Sequence, residues 1–129
     1  MQNVIYHRDI LNQSGIDMLS LCKGQLEKAK ESFVNHDSDL AEEVVRTETR
    51  VNALDLKIEK DCEKFIALYT PVAIDLRFVI ALLKINSELE RIADHAYSIS
   101  KYVIDIDTVI PPHLLKAVQF DTMFETVMN

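Results

Sequence analysis

A heptad of apolar residues between residues 75 and 96 constrains the fold of this chain more than any other feature. Its positions alternate by steps of three and four, and they are Leu82, Ile85, Leu89, Ile92 and Ala96. Such spacing predicts a helix face that packs against other helices. The same stretch carries Glu90 and Asp94 one turn apart. We therefore expect a packed helix that also presents two carboxylates about 6 Å apart, beside the apolar face rather than within it.

The scarcity of turn-forming residues extends the helical prediction to the whole chain. Its 129 residues include only two glycines and three prolines, and 48% are hydrophobic, so strands and hairpins are poorly supported. We predict a first helix from residue 3 or 9 to about 34, a second to about 69, and a third that Pro111-Pro112 ends. Joined by short turns, these helices predict an all-α fold, an antiparallel three-helix bundle.

Polar residues mark the two expected turns. Asp37 or Ser38 is the predicted N-cap of the second helix, and Thr70-Pro71 supplies the predicted N-cap and first residue of the third. The predicted packing face of the first helix comprises Gly15, Leu19, Cys22, Leu26, Ala29 and Phe33. That of the second comprises Leu40, Val44, Thr47, Val51, Leu54, Ile58, Asp61, Phe65 and Leu68. Cys22 and Cys62 have no metal-binding or redox spacing and are expected to be buried hydrophobes.

The apolar residues near the C-terminus predict a partial fourth helix. We assign residues 1–108 to the bundle and 109–129 to the start of a second, truncated unit. The apolar face of residues 114–127 has no partner in the chain long enough to cover it. Because such a face would otherwise be exposed, we expect a homodimer.

The charge, the apolar runs and the motifs of the chain argue against several classes of function. A net charge of −7 argues against a nucleic-acid partner, which would require clustered Lys and Arg. No apolar run reaches the roughly 20 residues of a membrane helix, and no signal segment begins the chain, so we expect a cytoplasmic protein without direct membrane insertion. No nucleophile and base pair or glycine-rich phosphate loop is present, so an enzyme is not expected.

The antiparallel turn at residues 70–71 places positions whose numbers sum to about 142 at the same height. Glu90 and Asp94 then face Asn52 and Glu48, another pair one turn apart. Glu48 and Asn52 lie one residue beyond the predicted packing positions Thr47 and Val51, so four oxygen donors would meet in the groove between helices 2 and 3. Oxygen ligands suit Mg²⁺, Mn²⁺, Ca²⁺ or iron; Zn²⁺ is a further candidate, although it prefers more nitrogen ligands.

A solvated charged face is the alternative reading of these acids. Acids spaced by four are common on charged helices, and Arg46, Arg50 or Arg91 could pair with them. His95 follows Asp94 but points about 100° away around the helix. We therefore expect His95 to be a packed or exposed residue rather than a ligand.

Three segments together resemble the PhoU family. Residues 70–77 read TPVAIDLR, residues 89–96 read LERIADHA, and residues 48–55 read ETRVNALD. The resemblance covers residues 10 to 105 and implies a tandem of two three-helix bundles with multinuclear metal clusters on Glu/Asp-x-x-x-Asp pairs. Ala93 stands where the family usually has glycine. Glu48, Glu90 and Asp94 match the family acids, while Asn52 replaces one with an amide.

The resemblance also implies a function. The chain would be a negative regulator of phosphate uptake and phosphate-starvation signalling that docks on a phosphate ABC transporter and its sensor histidine kinase. Asp75, Arg77 and Arg91 are the possible docking or structural residues. Alternatives are a cytoplasmic regulatory domain of a sodium-phosphate cotransporter, and a metal- or phosphate-binding protein without a signalling role.

Overall fold

Three long helices form the part of the chain that the structure, a computed structural model, describes: residues 2–106 and 125–126. They are α1 (Gln2–Asn35), α2 (Ser38–Tyr69) and α3 (Ala73–Asp105), packed against one another. No strand occurs in these residues, so the predicted all-α three-helix bundle is confirmed. The predicted second unit, residues 109–129, falls outside the described residues except for 125–126, and its boundary and the fourth helix stay predictions.

The helices divide into two compact units. Unit 1 combines Met1–Cys22 with Thr49–Ile92, and unit 2 combines Lys23–Glu48 with Ala93–Asn129. Each unit therefore contains one section of each helix, and its core forms where the apolar strips of those sections meet. In unit 2 that core includes Ala29, Val44 and Ala96, with Ile99 packed against them.

The turn between α1 and α2 lies in unit 2 and is closed by hydrogen bonds at both helix ends. His36 adopts a left-handed conformation with φ 51°, and the Asp37 amide donates to the Ser32 carbonyl at 2.9 Å. This is a Schellman ending. Asp37 Oδ1 then accepts a hydrogen bond from the Leu40 amide at 3.1 Å. Asp37 thus caps α2 as predicted.

The turn between α2 and α3 differs from the prediction. Thr70 has φ 42° and its amide donates to the Ile66 carbonyl at 3.2 Å, so it ends α2 instead of capping α3. The next helix begins two residues after Pro71, where the Leu76 amide donates to the Val72 carbonyl at 2.9 Å. The assignments of Thr70 as N-cap and Pro71 as first helical residue were wrong, because a proline after a helix end need not start the next helix.

The buried strip of α3 follows a heptad, but not wholly the predicted one. It consists of Val79, Leu82, Asn86, Leu89, Ala93, Ala96, Ser100 and Val103. Ile85, placed on the packing face from its hydrophobicity, is 54% exposed, while Asn86 is 1% exposed. The helix thus turns inward an apolar strip that also contains the polar residues Asn86 and Ser100, and the prediction for Ile85 was wrong.

Similar shifts of one residue occur in the other helices. On α1, Met18 is fully buried while the predicted Leu19 is 53% exposed, and on α2 the predicted Leu68 is 73% exposed. The buried strip of α2 contains Ala41, Val44, Val51, Ile58, Cys62 and Phe65. Glu48 and Asp55, both half-buried, occupy the intervening heptad positions. Cys22 and Cys62 are buried free thiols, as predicted.

Gly15 marks a close approach of α1 to α3 within unit 1. A Cβ atom added at Gly15 would lie 2.8 Å from Leu82 Cδ1, whereas one added at Gly24 would meet nothing within 4 Å. Glycine therefore has a packing reason at position 15 and none at position 24.

Candidate metal site

Two acids from different helices meet within unit 2. A carboxylate oxygen of Glu48 on α2 lies within 4.8 Å of one from Asp94 on α3. Their numbers sum to 142, so the pairing agrees with the register that the antiparallel turn predicts. Glu48 is half-buried and Asp94 is exposed, so the pair is open to solvent on the Asp94 side.

Glu90 adds a third carboxylate from the same helix as Asp94. It lies one turn earlier on α3. The four-residue spacing puts both side chains on one helix face. Glu90 is half-buried, so two of the three acids are partly withdrawn from water.

Burial and charge make this cluster costly without a counterion. The Glu48 Oε2 atom is buried. Glu48 occupies a position of the buried α2 strip itself, and not the predicted position one residue beyond the packing face. Like charges this close repel each other and resist burial. A cation would reverse both costs. With oxygen donors alone, Mg²⁺, Mn²⁺, Ca²⁺ or iron fits this donor set.

The structure also gives the positions of Asn52, the fourth predicted ligand, and of His95. Asn52 lies one turn after Glu48 on α2 and is exposed, and His95 is also exposed. No contact tests Asn52 as a ligand, so that role stays a prediction. The exposure of His95 agrees with the prediction of a packed or exposed residue, and the prediction that it is not a ligand stays a prediction.

A polar contact in unit 1 was missed by sequence reasoning. The Asn86 Nδ2 atom donates to Asp55 Oδ1 at 2.5 Å and lies 3.4 Å from the Asp55 carbonyl. Asn86 sits in the buried strip of α3, four residues after Leu82. A polar residue at a heptad position was the available signal, since buried polar groups need partners.

The possible docking residues fall into two groups. Asp75 is in the first turn of α3 and accepts a hydrogen bond from Arg8 Nη1 at 3.2 Å, which makes it structural in unit 1. Arg77 is exposed. Arg91 is exposed too, with its Nη1 atom 3.7 Å from Glu88. The two arginines are therefore accessible to a partner.

Comparison with known proteins identifies the relatives of this chain. The family model described as "PhoU domain" matches residues 16–103. A phosphate-specific transport system accessory protein PhoU homolog from Aquifex aeolicus is 38% identical over 89 residues, which are 69% of this chain and 40% of the relative. A homolog from Archaeoglobus fulgidus is 41% identical over 92 residues, 70% and 45% of the two chains. PhoU of Escherichia coli is 36% identical over 88 residues, 68% and 36%.

The matched region has a limited extent. In each of these relatives it spans less than half of the protein's length.

Among the described residues, no helix combines the length and the apolar character that crossing a membrane would require.

Proposed function

The chain belongs to the PhoU family, and from this premise we propose that it acts as an accessory protein of phosphate-specific transport. Three relatives from distant organisms carry that description. The family match begins in α1, includes all of α2 and ends two residues before the end of α3. An accessory role rather than an enzymatic one agrees with the names of these relatives.

In this proposal the chain restrains phosphate uptake and phosphate-starvation signalling when phosphate is abundant. It does so at the cytoplasmic side by docking on a phosphate ABC transporter and its sensor histidine kinase. Arg77 and Arg91 are suited to such docking because both are exposed on α3. Asp75 supports the start of α3 through its contact with Arg8.

A cation site is the second part of the proposal. Glu48, Glu90 and Asp94 hold a divalent metal or iron, with Asn52 as a further oxygen donor. The observation that carries this part is the approach of Glu48 to Asp94 within 4.8 Å, with Glu90 one turn away on α3. A bound cation would hold α2 against α3. The presence of metal would therefore affect the exposed surface of α3.

The experiment measures alkaline phosphatase in the source organism at high phosphate. Deletion of the gene should release alkaline phosphatase expression, and the parent gene should restore repression. The variant Glu90→Gln with Asp94→Asn should fail to restore it. A matched control, Glu59→Gln with Glu63→Gln, removes two exposed acids one turn apart on α2 and should restore repression fully.

Two results would contradict the proposal. Unchanged alkaline phosphatase after deletion would refute the regulatory role. Full repression by the double variant at Glu90 and Asp94 would refute a role for the cation in it. Capture of the sensor kinase's PAS region by the purified chain, lost on Arg77→Glu or Arg91→Glu, would support docking on the kinase, and failure to capture it would count against this.

A further inference from the structure

A stripe of basic side chains runs along the exposed face of α2. Six exposed positions alternate by steps of four and three, and they are Arg46, Arg50, Ala53, Lys57, Lys60 and Lys64. Five of the six are cationic and none is acidic, although the chain as a whole has a net charge of −7. The stripe itself therefore carries no acid, although the exposed acids Glu59 and Glu63 lie on the same helix.

An open groove follows this stripe between α1 and α2 within unit 1. It consists of two hollows, of about 380 Å³ and 640 Å³, that both reach Lys57. Its apolar lining includes Leu11, Phe65 and Leu68 in one hollow and Leu21 and Leu54 in the other. Leu11 and Phe65 are buried, whereas Leu68 is 73% exposed, so the apolar surface that the described residues leave uncovered is that of Leu68 with the half-buried Leu21 and Leu54.

Cations at seven-residue intervals form one wall of the groove. Arg50, Lys57 and Lys64 line it, together with the carboxylates of Asp17 and Asp61. Lys57 Nζ already contacts Asp61 Oδ2 at 2.9 Å, and Asp17 accepts a hydrogen bond from Gln13 at 2.9 Å. Arg50 and Lys64 are therefore the cations that an incoming partner would meet.

We propose that the α1/α2 groove of unit 1 binds an acidic amphipathic helix of a partner protein. Two helices with an apolar cleft between them receive a further helix in the manner of a four-helix bundle. The apolar side of the partner would cover Leu21, Leu54 and Leu68. Its acids, one every seven residues and so roughly 10.5 Å apart, would face Arg50, Lys57 and Lys64, as charged residues flank the apolar contact in coiled coils.

The surroundings of the stripe favour a helix over a broad anionic surface. Glu59 and Glu63 are exposed on the same helix, next to the cations. A membrane of anionic lipid would meet these acids together with the cations, and repulsion would offset the attraction. A single helix seated in the groove would not meet Glu59 or Glu63, which do not line it, and the two carboxylates that do, Asp61 and Asp17, already contact Lys57 and Gln13. This inference does not depend on the proposed role in phosphate transport.

The test uses the full chain and a fluorescein-labelled helical peptide of three heptads. The peptide has leucine along one seam and glutamate at one flanking position of each heptad. Fluorescence anisotropy should show saturable binding with a dissociation constant of tens of micromolar. A peptide of the same composition with its glutamates moved to the opposite face should bind at least tenfold more weakly. Equal binding of the two peptides would overturn the proposal.

Variants locate the binding surface. Arg50→Glu with Lys64→Glu should weaken the glutamate peptide at least tenfold and should bind the corresponding lysine peptide instead. The matched control, Arg46→Glu with Lys60→Glu, changes the same charge on the same helix outside the groove lining and should shift affinity less than threefold. Far-UV circular dichroism verifies that both variants fold. For the parent chain, peptide-induced NMR shifts should fall on Leu21, Leu54 and Leu68.

Three results would overturn the proposal. The first is an equal loss of peptide binding in both double variants, which would indicate a diffuse charge effect. The second is binding of the parent, without peptide, to phosphatidylserine vesicles that Arg50→Glu with Lys64→Glu abolishes. The third is a dimer of the parent, seen by sedimentation, that the same variant dissociates, because the groove would then hold a second copy of the chain.

Discussion

The contact between Asn86 and Asp55 offers a direct test of how α2 and α3 are held in register within unit 1. The Asn86 side chain is almost fully buried, and its Nδ2 atom donates to the Asp55 carboxylate at 2.5 Å. The Asn86 Oδ1 atom is buried without a hydrogen-bond partner in the described part of the chain. Replacing Asn86 with alanine therefore removes one strong hydrogen bond and one unsatisfied oxygen together.

The expected cost follows from these terms. A hydrogen bond to a charged group contributes about 1.5–3 kcal/mol, and the small cavity left by the amide adds about 1 kcal/mol. Removal of the unsatisfied oxygen returns about 1 kcal/mol. Asn86→Ala should therefore lower the free energy of unfolding by about 1.5–3 kcal/mol. Asp55→Ala should cost a similar amount, because it leaves the buried amide without its carboxylate.

Urea unfolding followed by circular dichroism, on both single variants and the double variant, measures the coupling. We expect a coupling free energy of about 1.5 kcal/mol, because the second substitution has no hydrogen bond left to remove. Ser87→Ala is the control: Ser87 is exposed beside Asn86 and its substitution should change stability by less than about 0.5 kcal/mol. A coupling below about 0.5 kcal/mol would refute the inference that this hydrogen bond fixes the register.

Three further predictions concern other parts of the molecule. Gly24→Ala should raise the free energy of unfolding by about 1 kcal/mol, and Gly15→Ala by clearly less because α3 crowds that site; urea melts compare them. Burial, with nearby acids, raises the pKa of Cys62 to about 11, so Ellman's reagent at pH 8 should react with it only in urea, and rapid native reaction would contradict this burial. The Lys28 ammonium, 2.6 Å from Glu43, lowers the pKa of that carboxyl, so its small stabilising effect is present above the unfolded-state pKa and lost as pH falls through the folded value. Lys28→Gln should raise the Glu43 pKa in an NMR titration, and an unchanged value would exclude the ion pair.

The sequence pattern predicted the helices well because each is long and apolar at helical spacing. The Asp37 cap and the pairing of Glu48 with Asp94 follow from local chemistry and from the length of the turn. The wrong assignment of Thr70 did not change the predicted pairing of α2 residues with α3 residues. Moving the start of α3 by two residues leaves the residues that face each other across the two helices unchanged.

The inward face of each helix was harder to predict. Hydrophobicity favoured Ile85 over Asn86, yet the helix surfaces pack closely only where side chains are small or find a partner, as Asn86 does with Asp55. Glu48 was placed beside the buried strip for the same reason, since a periodic pattern of apolar residues assigns acids to the outside. Whether a polar side chain can be buried depends on a partner on another helix. The periodicity of one helix sequence does not reveal that partner.

Thermal unfolding with and without added metal tests the cation site most directly. If Glu48, Glu90 and Asp94 bind Mn²⁺ or iron, metal at one hundred times its dissociation constant should stabilise the parent by about 2.7 kcal/mol and raise its Tm. Glu90→Gln with Asp94→Asn should abolish that rise, and without metal it should be as stable as the parent or slightly more stable, because the repulsion between the acids is relieved. A parent Tm that no added metal changes, together with a double variant that is less stable than the parent, would contradict the cation site.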